Sequence, residues 1–272
     1  MVKKLFKHEF LSYLRLFLPI QLVVLGMALL VRILGFFEND STVYSILLVA
    51  SIVVFVITLE AGILGTFIIG IRRFFKNLFT AEGYLTLTLP VTQTQHILVK
   101  AVTAAAMQIA AFLILVIALC IATYGDLLTE LILAAQYILD QALQYINTVH
   151  LVFFIVEFLL LSVIMTFAGY LLIYACIALG QTAKKHRVLL AFGIYYAYYV
   201  ICQILASVGQ IVFFVVTENN EAWLEQAADF VVKNPYLCGH TSLLALSVIE
   251  FGLCVVYFFI TKYVLCKKLD LE

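Results

Sequence analysis

Residues 44–71 read YSILLVASIVVFVITLEAGILGTFIIGI, and Glu60 is the only charged residue in this stretch. The hydrocarbon core of a bilayer is about 30 Å thick, and a helix crosses it with about 20 mostly apolar residues. Polar and apolar residues do not alternate along the stretch, as they do in the strands of membrane β-barrels. The stretch therefore predicts a membrane-spanning helix.

Five other stretches have the same character. The six predicted spans are residues 16–37, 44–71, 97–122, 151–179, 188–216 and 243–265. Of the 272 residues, 65% are hydrophobic and 12% are charged, whereas soluble domains average about 45–50% and about 25%. This composition excludes a disordered chain, a disulfide scaffold and a nucleic-acid-binding domain. The predicted fold is all-α: a polytopic membrane protein with residues 1–272 in a single transmembrane permease domain.

Lysine and arginine predict the orientation, because short cytoplasmic loops are enriched in them. In a six-span arrangement, 14 of the 16 cations lie on the side that holds both termini. These are Lys3, Lys4, Lys7, Arg15, Arg72, Arg73, Lys76, Lys100, Lys184, Lys185, Arg187, Lys262, Lys267 and Lys268. We therefore expect a protein of the bacterial cell membrane with both termini in the cytoplasm.

Three segments outside the spans have amphipathic patterns. In residues 1–15, apolar side chains share one helical face and cations the other, which favours an interfacial helix over a simple basic flank. Residues 123–150 and 217–242 are the long extracellular connections, and each carries an acidic stripe on an otherwise apolar helix. We expect helices resting on or dipping into the outer leaflet, the second one ending at Asn234-Pro235.

The connection between spans two and three, residues 72–93, is unusually apolar for a cytoplasmic loop. It contains Leu78, Phe79 and Tyr84, and exposed apolar groups of that density usually mark an interaction surface. Gly83 allows a sharp turn, and Pro90 ends any regular element that precedes it. The pattern predicts a short helix that contacts a cytoplasmic partner.

The run Glu82-Gly83-Tyr84-Leu85, followed by Thr88-Leu89-Pro90-Val91 and then Lys100, resembles the permease subunits of type-2 ABC transporters of Gram-positive bacteria. The amphipathic start, the six spans, Asn234-Pro235 and the ending at residues 268–272 are also similar to that family. The resemblance covers essentially the whole chain.

The resemblance implies that residues 72–93 carry a coupling helix that docks on a separate ABC ATP-binding subunit, and that residues 1–15 form a connecting helix. The coupling residues that it implies are Asn77, Leu78, Phe79, Thr80, Glu82, Gly83 and Tyr84. It also implies two copies of the ATP-binding subunit and a second permease subunit, with a homodimer favoured over a heterodimer. ATP and Mg are expected on the ATPase and no cofactor on this chain. The sequence has no G-x-x-x-x-G-K-[ST] phosphate loop, which agrees with a permease that is not itself an enzyme.

The implied function is ATP-driven export of an amphipathic or hydrophobic substrate such as a peptide, a toxin or an antimicrobial. Two alternatives remain open at this point. One is a stand-alone, proton-coupled secondary transporter that uses intramembrane carboxylates, and the other is a membrane scaffold or sensor subunit. A nucleic-acid partner and a metal site are not expected.

Four ionisable residues lie within the predicted spans, where a charge is expensive: Arg32, Glu60, Glu157 and Glu250. Glu60 lies near the middle of its span, and the other three share the outer half. Arg32 is therefore expected to pair with one or both of Glu157 and Glu250. Such a pair either fixes helix packing or changes partner as an outer gate opens.

Small residues form two narrow helical faces, Ala61, Gly62 and Gly65 on span two and Ala101, Ala104 and Ala105 on span three. Faces of this kind permit close helix approach. They predict either contacts within the chain or a dimer seam.

Overall fold

The computed structural model describes residues 2–37, 41–80, 83, 91–183, 185–219 and 221–267. Within these ranges every extended regular element is a helix: α1 (Val2–Phe36), α2 (Thr42–Phe79), α3 (Gln93–Ala122), α4 (Asp126–Tyr145), α5 (Thr148–Gly180), α6 (Arg187–Asn219), α7 (Glu221–Lys233) and α8 (Pro235–Lys267). All but α4 and α7 are long and apolar enough to cross a membrane, which makes six candidate spans. The prediction of an all-helical chain with six helices long and apolar enough to span a membrane is confirmed for the described residues.

The candidate spans are longer than a bilayer requires. Helix α2 has 38 residues, which corresponds to about 57 Å at a rise of about 1.5 Å per residue. The hydrocarbon core is only about 30 Å thick, so the ends of α2 extend beyond it. Because a continuous helix satisfies its own backbone hydrogen bonds, it can pass from lipid to water without a break.

Three boundaries differ from the predicted ones. Helix α1 is continuous from Val2 to Phe36, so residues 2–15 are the first turns of a long helix rather than a separate interfacial element. Helix α2 likewise includes residues 72–79, where a separate short helix was expected. Helix α8 begins at Pro235, inside the segment assigned to the extracellular connection. Proline suits the first position of a helix because the N–H that it lacks has no intrahelical partner there.

The chain divides into two compact units, Met1–Asn147 and Thr148–Glu272. In the first unit, α1 packs against α2 and α3, which also contact each other. The buried residues of α1 recur every three or four positions and so form one stripe: Glu9, Tyr13, Phe17, Gln21, Val24, Ala28 and Val31. This stripe explains why α1 is continuous, because the same face that buries Val24 and Ala28 also buries Glu9 and Tyr13.

The small-residue faces make contacts within the first unit. A Cβ atom on Gly62 would lie 2.8 Å from Cγ2 of Val24, so the glycine allows α1 and α2 to approach closely. Ala101 and Ala104 are also buried. Of the two interpretations of these faces, contact within the chain is the one that the structure shows for these three residues.

In the second unit, α5 packs against α6 and α8, and α7 touches both α6 and α8. The C-terminal half of α5 is buried around Tyr170, Leu171 and Tyr174. At its end, a Cβ atom on Gly180 would lie 2.7 Å from the Cβ atom of Ala191. Glycine therefore permits the tight connection between α5 and α6.

Candidate functional site

A buried ionic cluster joins three helices of the first unit next to the connection at residues 80–92. Its members are Glu9 of α1, Arg73 and Asn77 of α2, and Lys100 of α3, and we call it the junction cluster. Lys100 Nζ donates to Oε1 of Glu9, and Arg73 Nη2 donates to Oε2. Asn77 Nδ2 also donates to Oε1 at 3.3 Å. Both carboxylate oxygens are thus occupied.

Helix periodicity accounts for the positions of these side chains. Glu9 lies one turn before Tyr13 on the buried stripe of α1. Arg73 and Asn77 are four residues apart and so share one face of α2. Lys100 lies in the second turn of α3, after a start at which the Thr92 N–H donates to Oε1 of Gln95 at 3.2 Å. The junction cluster therefore ties both helix ends that flank residues 80–92 to α1.

The charges of the junction cluster are largely removed from solvent. The side chains of Glu9, Arg73 and Lys100 are 8%, 16% and 3% exposed. One carboxylate thus faces two cations in a poorly hydrated site, where separating the pairs is costly. The cluster therefore acts as a stiff connection among α1, α2 and α3.

A second polar layer continues the contact between α1 and α2. The Tyr13 hydroxyl donates to the carbonyl oxygen of Thr66, and Gln21 Nε2 donates to Oγ1 of Thr66 at 3.1 Å. The Arg73 guanidinium carbon lies 5.9 Å from the centre of the Tyr13 ring. These contacts connect the junction cluster to the part of α1 that packs at Gly62.

His96 lies on α3, one turn before Lys100, and is 1% exposed. No described residue forms a hydrogen bond with either of its ring nitrogens. Buried polar atoms normally have a partner, so His96 is an exception that adjoins the junction cluster.

The predicted coupling residues are in several environments. Asn77 belongs to the junction cluster, and Leu78 is fully buried, so its side chain is not available to a partner protein in this conformation. Phe79 is half-buried, with its ring centre 5.7 Å from that of Phe74. Thr80 donates to the carbonyl oxygen of Lys76. The last turn of α2 packs Leu78 into the first unit, and docking of a partner on these residues stays a prediction.

Gly83 forms a close turn, as the sequence predicts. Its N–H donates to the Thr80 carbonyl oxygen at 2.7 Å. A Cβ atom there would lie 2.6 Å from the carbonyl oxygen of Leu78. Glu82 and Tyr84 are outside the described residues, together with most of the motif that carries the ABC resemblance.

The four intramembrane charges are also separated among different environments. In the first unit, the Arg32 guanidinium carbon lies 5.2 Å from the centre of the Tyr124 ring, and Glu60 is exposed. In the second unit, Glu250 is half-buried and Glu157 is bonded to His240. The pairing of Arg32 with Glu157 or Glu250 stays a prediction.

Glu157 is the end of a hydrogen-bonded chain that we call the His–His–Glu chain, formed by His150, His240 and Glu157. His240 Nδ1 lies 3.0 Å and 2.8 Å from the two carboxylate oxygens of Glu157. His240 Nε2 lies 3.1 Å from Nδ1 of His150. Because His150 and Glu157 are seven residues apart on one face of α5, the imidazole of His240 on α8 can bridge them.

No model of a known protein family, no curated protein and no solved structure matches this chain. The resemblance to ABC permeases therefore rests on the sequence motifs.

Sequence reasoning missed Glu9, His150 and His240 as site residues. Glu9 is the only acid among the first 37 residues, and it falls in register with the apolar stripe of α1. That combination could have indicated a buried carboxylate with a basic partner. For His150, the seven-residue spacing to Glu157 was visible, but the bridging position of His240 depends on how α5 and α8 pack.

Proposed function

We propose that this chain is the membrane-spanning subunit of an ATP-driven exporter that works as a dimer with a separate ABC ATP-binding subunit. The junction cluster is the observation that supports this most. It ties α1 to both helix ends beside residues 80–92, so a force applied to that connection would act on three helices together. Such a connection is what a permease needs to turn the closure of an ATPase pair into movement of its spans.

ATP binding is assigned to another chain. The sequence lacks the glycine-rich phosphate loop whose backbone N–H groups hold the nucleotide phosphates. Two copies of an ATP-binding subunit, each with ATP and Mg, would serve a permease homodimer. The substrate that fits an apolar pathway is amphipathic or hydrophobic, such as a peptide.

Helix α4 fits an interfacial position in this proposal. Apart from half-buried Leu128, its described side chains are exposed, including Leu131, Ile138 and Leu139. A helix with an uncovered apolar face and a polar face is stable at the boundary between headgroups and acyl chains. Residues 123–150 would then lie on the outer leaflet.

Single-cysteine labelling tests the orientation. In a cysteine-free background, Glu225→Cys on α7 is expected to react with a membrane-impermeant maleimide in intact cells. Lys185→Cys, which is also exposed and lies in the connection between α5 and α6, is expected to react only after permeabilisation. The expectation follows from the lysine and arginine bias. The reverse labelling pattern would show that both termini are outside.

ATP dependence tests the proposed function itself. The protein, purified from its native membranes in a mild detergent, is expected to retain a second chain that carries a phosphate loop and hydrolyses ATP. In vesicles, the complex is expected to move an amphipathic peptide only when ATP is supplied on the ATPase side. Transport that a pH gradient drives without ATP would contradict the exporter and support the alternative.

That alternative, a proton-coupled secondary transporter, is favoured by the His–His–Glu chain. Carboxylates and imidazoles connected inside spans are typical of proton pathways in transporters. The ATP experiment separates the two candidates because each names a different energy source.

A further inference from the structure

An ionised Glu157 and neutral imidazoles set the hydrogen-bond direction of the His–His–Glu chain. An ionised Glu157 accepts only, so Nδ1 of His240 carries a proton and donates to it. In a neutral His240 the other nitrogen, Nε2, is then bare and accepts from Nδ1–H of His150. His150 in turn has a bare Nε2, and no described residue hydrogen-bonds to that atom.

Stacking holds both imidazoles in this arrangement. The ring of His150 lies 4.1 Å from that of Tyr236 with an interplanar angle of 8°. The ring of His240 lies 4.1 Å from that of Phe154 with an angle of 11°. Gly239 makes room for the second stack, since a Cβ atom there would be 2.7 Å from the Phe154 ring. Rotation of either imidazole would break a stack and a hydrogen bond.

We propose that the His–His–Glu chain is a proton-binding site in which Nε2 of His150 takes up one proton and Glu157 receives one. A proton bonds to Nε2 of His150, and the Nδ1 proton of that ring moves to Nε2 of His240. The Nδ1 proton of His240 then moves to a carboxylate oxygen of Glu157. Each imidazole ends neutral as the other tautomer, and the carboxylate ends as a carboxylic acid. One proton enters and nothing is oxidised or reduced.

The geometry gives this transfer a direction in the membrane. His150 is the third residue of α5, and Glu157 lies seven residues further along, or about 10 Å at about 1.5 Å per residue. The His–His–Glu chain thus leads from the N-terminal end of α5 toward the apolar middle of that helix. The side chains of His240 and Glu157 are only 19% and 17% exposed, so direct access from water is restricted.

Among the side chains that the structure describes, the ionisable ones that neighbouring elements carry at this end of the second unit are Tyr236 and Cys238 of α8, Glu218 of α6, and Glu225, Asp229 and Lys233 of α7. Tyr236 contacts the chain through its stack on His150. Lys233 donates to Asp229 at 3.1 Å, and both are 72% exposed. Substituting these side chains would therefore separate their proton uptake from that of the His–His–Glu chain.

Infrared spectroscopy after a rapid pH drop tests the proposal on the full chain in lipid nanodiscs. The carbonyl band of protonated Glu157 is identified by its loss in Glu157→Gln, with Glu250→Gln as the matched control. His150→Gln and His240→Gln retain a hydrogen-bonding side chain but cannot relay a proton. Each is expected to slow the appearance of the band by about 100-fold, the lower range for a positioned acid–base group. Glu225→Gln removes an exposed ionisable group of α7 and is expected to leave the rate unchanged.

Two outcomes would overturn the proposal. One is a Glu157 band that appears at the original rate in both histidine variants, since Glu157 would then take its proton directly from water. The other is no Glu157 band at any pH at which the protein remains folded. Because this measurement involves no ATP and no transport, it does not depend on either proposed function.

Discussion

Substituting Glu9 by glutamine is expected to lower the free energy of unfolding by about 3–5 kcal/mol, the range for removing one partner of a buried ion pair. The reason is that Arg73 and Lys100 would remain in a site that is nearly closed to water without the carboxylate that both contact. Thermal and denaturant unfolding in the same detergent would measure the loss.

A double substitution shows whether the loss of stability comes from the uncompensated buried cations or from the glutamine side chain itself. Adding Lys100→Met to Glu9→Gln removes one of the two uncompensated cations and is expected to restore part of the lost stability. Asp229→Asn is the matched control, because its ion pair with Lys233 is 72% exposed on both sides and such pairs contribute about 0–1 kcal/mol. Equal losses in Glu9→Gln and Asp229→Asn would show that the junction cluster does not hold the three helices.

Substituting Phe79 by glutamate is expected to prevent assembly with the ATP-binding subunit while the chain still inserts into the membrane. Phe79 is half-buried at the end of α2, directly before the proposed docking connection. Loss of an aromatic residue that anchors an interface costs about 2 kcal/mol or more, which corresponds to a loss of affinity of about 30-fold or more. Co-purification and ATP turnover of the complex would measure it.

Phe37→Glu is the control for that experiment. Phe37 is an exposed phenylalanine just after the end of α1, opposite the cytoplasmic end in the predicted topology. It is expected to leave assembly intact, because it places the new charge at the opposite end of the spans from the proposed docking connection. Normal assembly and turnover in Phe79→Glu would remove this residue from the docking surface.

The six spans could be predicted because each is a long apolar run, and that property belongs to the local sequence. The ends of the helices could not, because packing decides them. Residues 2–15 look like an independent amphipathic helix, yet Tyr13 and Phe17 pack in the same stripe as Val24. The sequence likewise leaves the surroundings of Leu78 open. Its apolar side chain indicates burial, but not whether this chain or a partner protein buries it.

The candidate sites were predictable to different degrees. Glu157 was identified from its position inside a span, and similar estimated depths made Glu157 and Glu250 the expected partners of Arg32; that pairing stays a prediction, but the contact with His240 was missed. Depth estimates cannot rank possible partners, and His240 occurs in a segment assigned to the extracellular connection. The contact exists because α8 starts at Pro235 and brings its second turn beside α5.

Because α2 is one unbroken helix, it can tilt as a rigid rod. Gly62, where α2 touches α1, is near the midpoint of the helix, and the junction cluster makes α1 tilt together with α2. At about 1.5 Å per residue, a tilt of about 10° there moves Asn77 by about 4 Å and Thr42 by about 5 Å in the opposite direction. A push on one face of the membrane would thus become a displacement on the other, without any change in the internal hydrogen bonds of the helix.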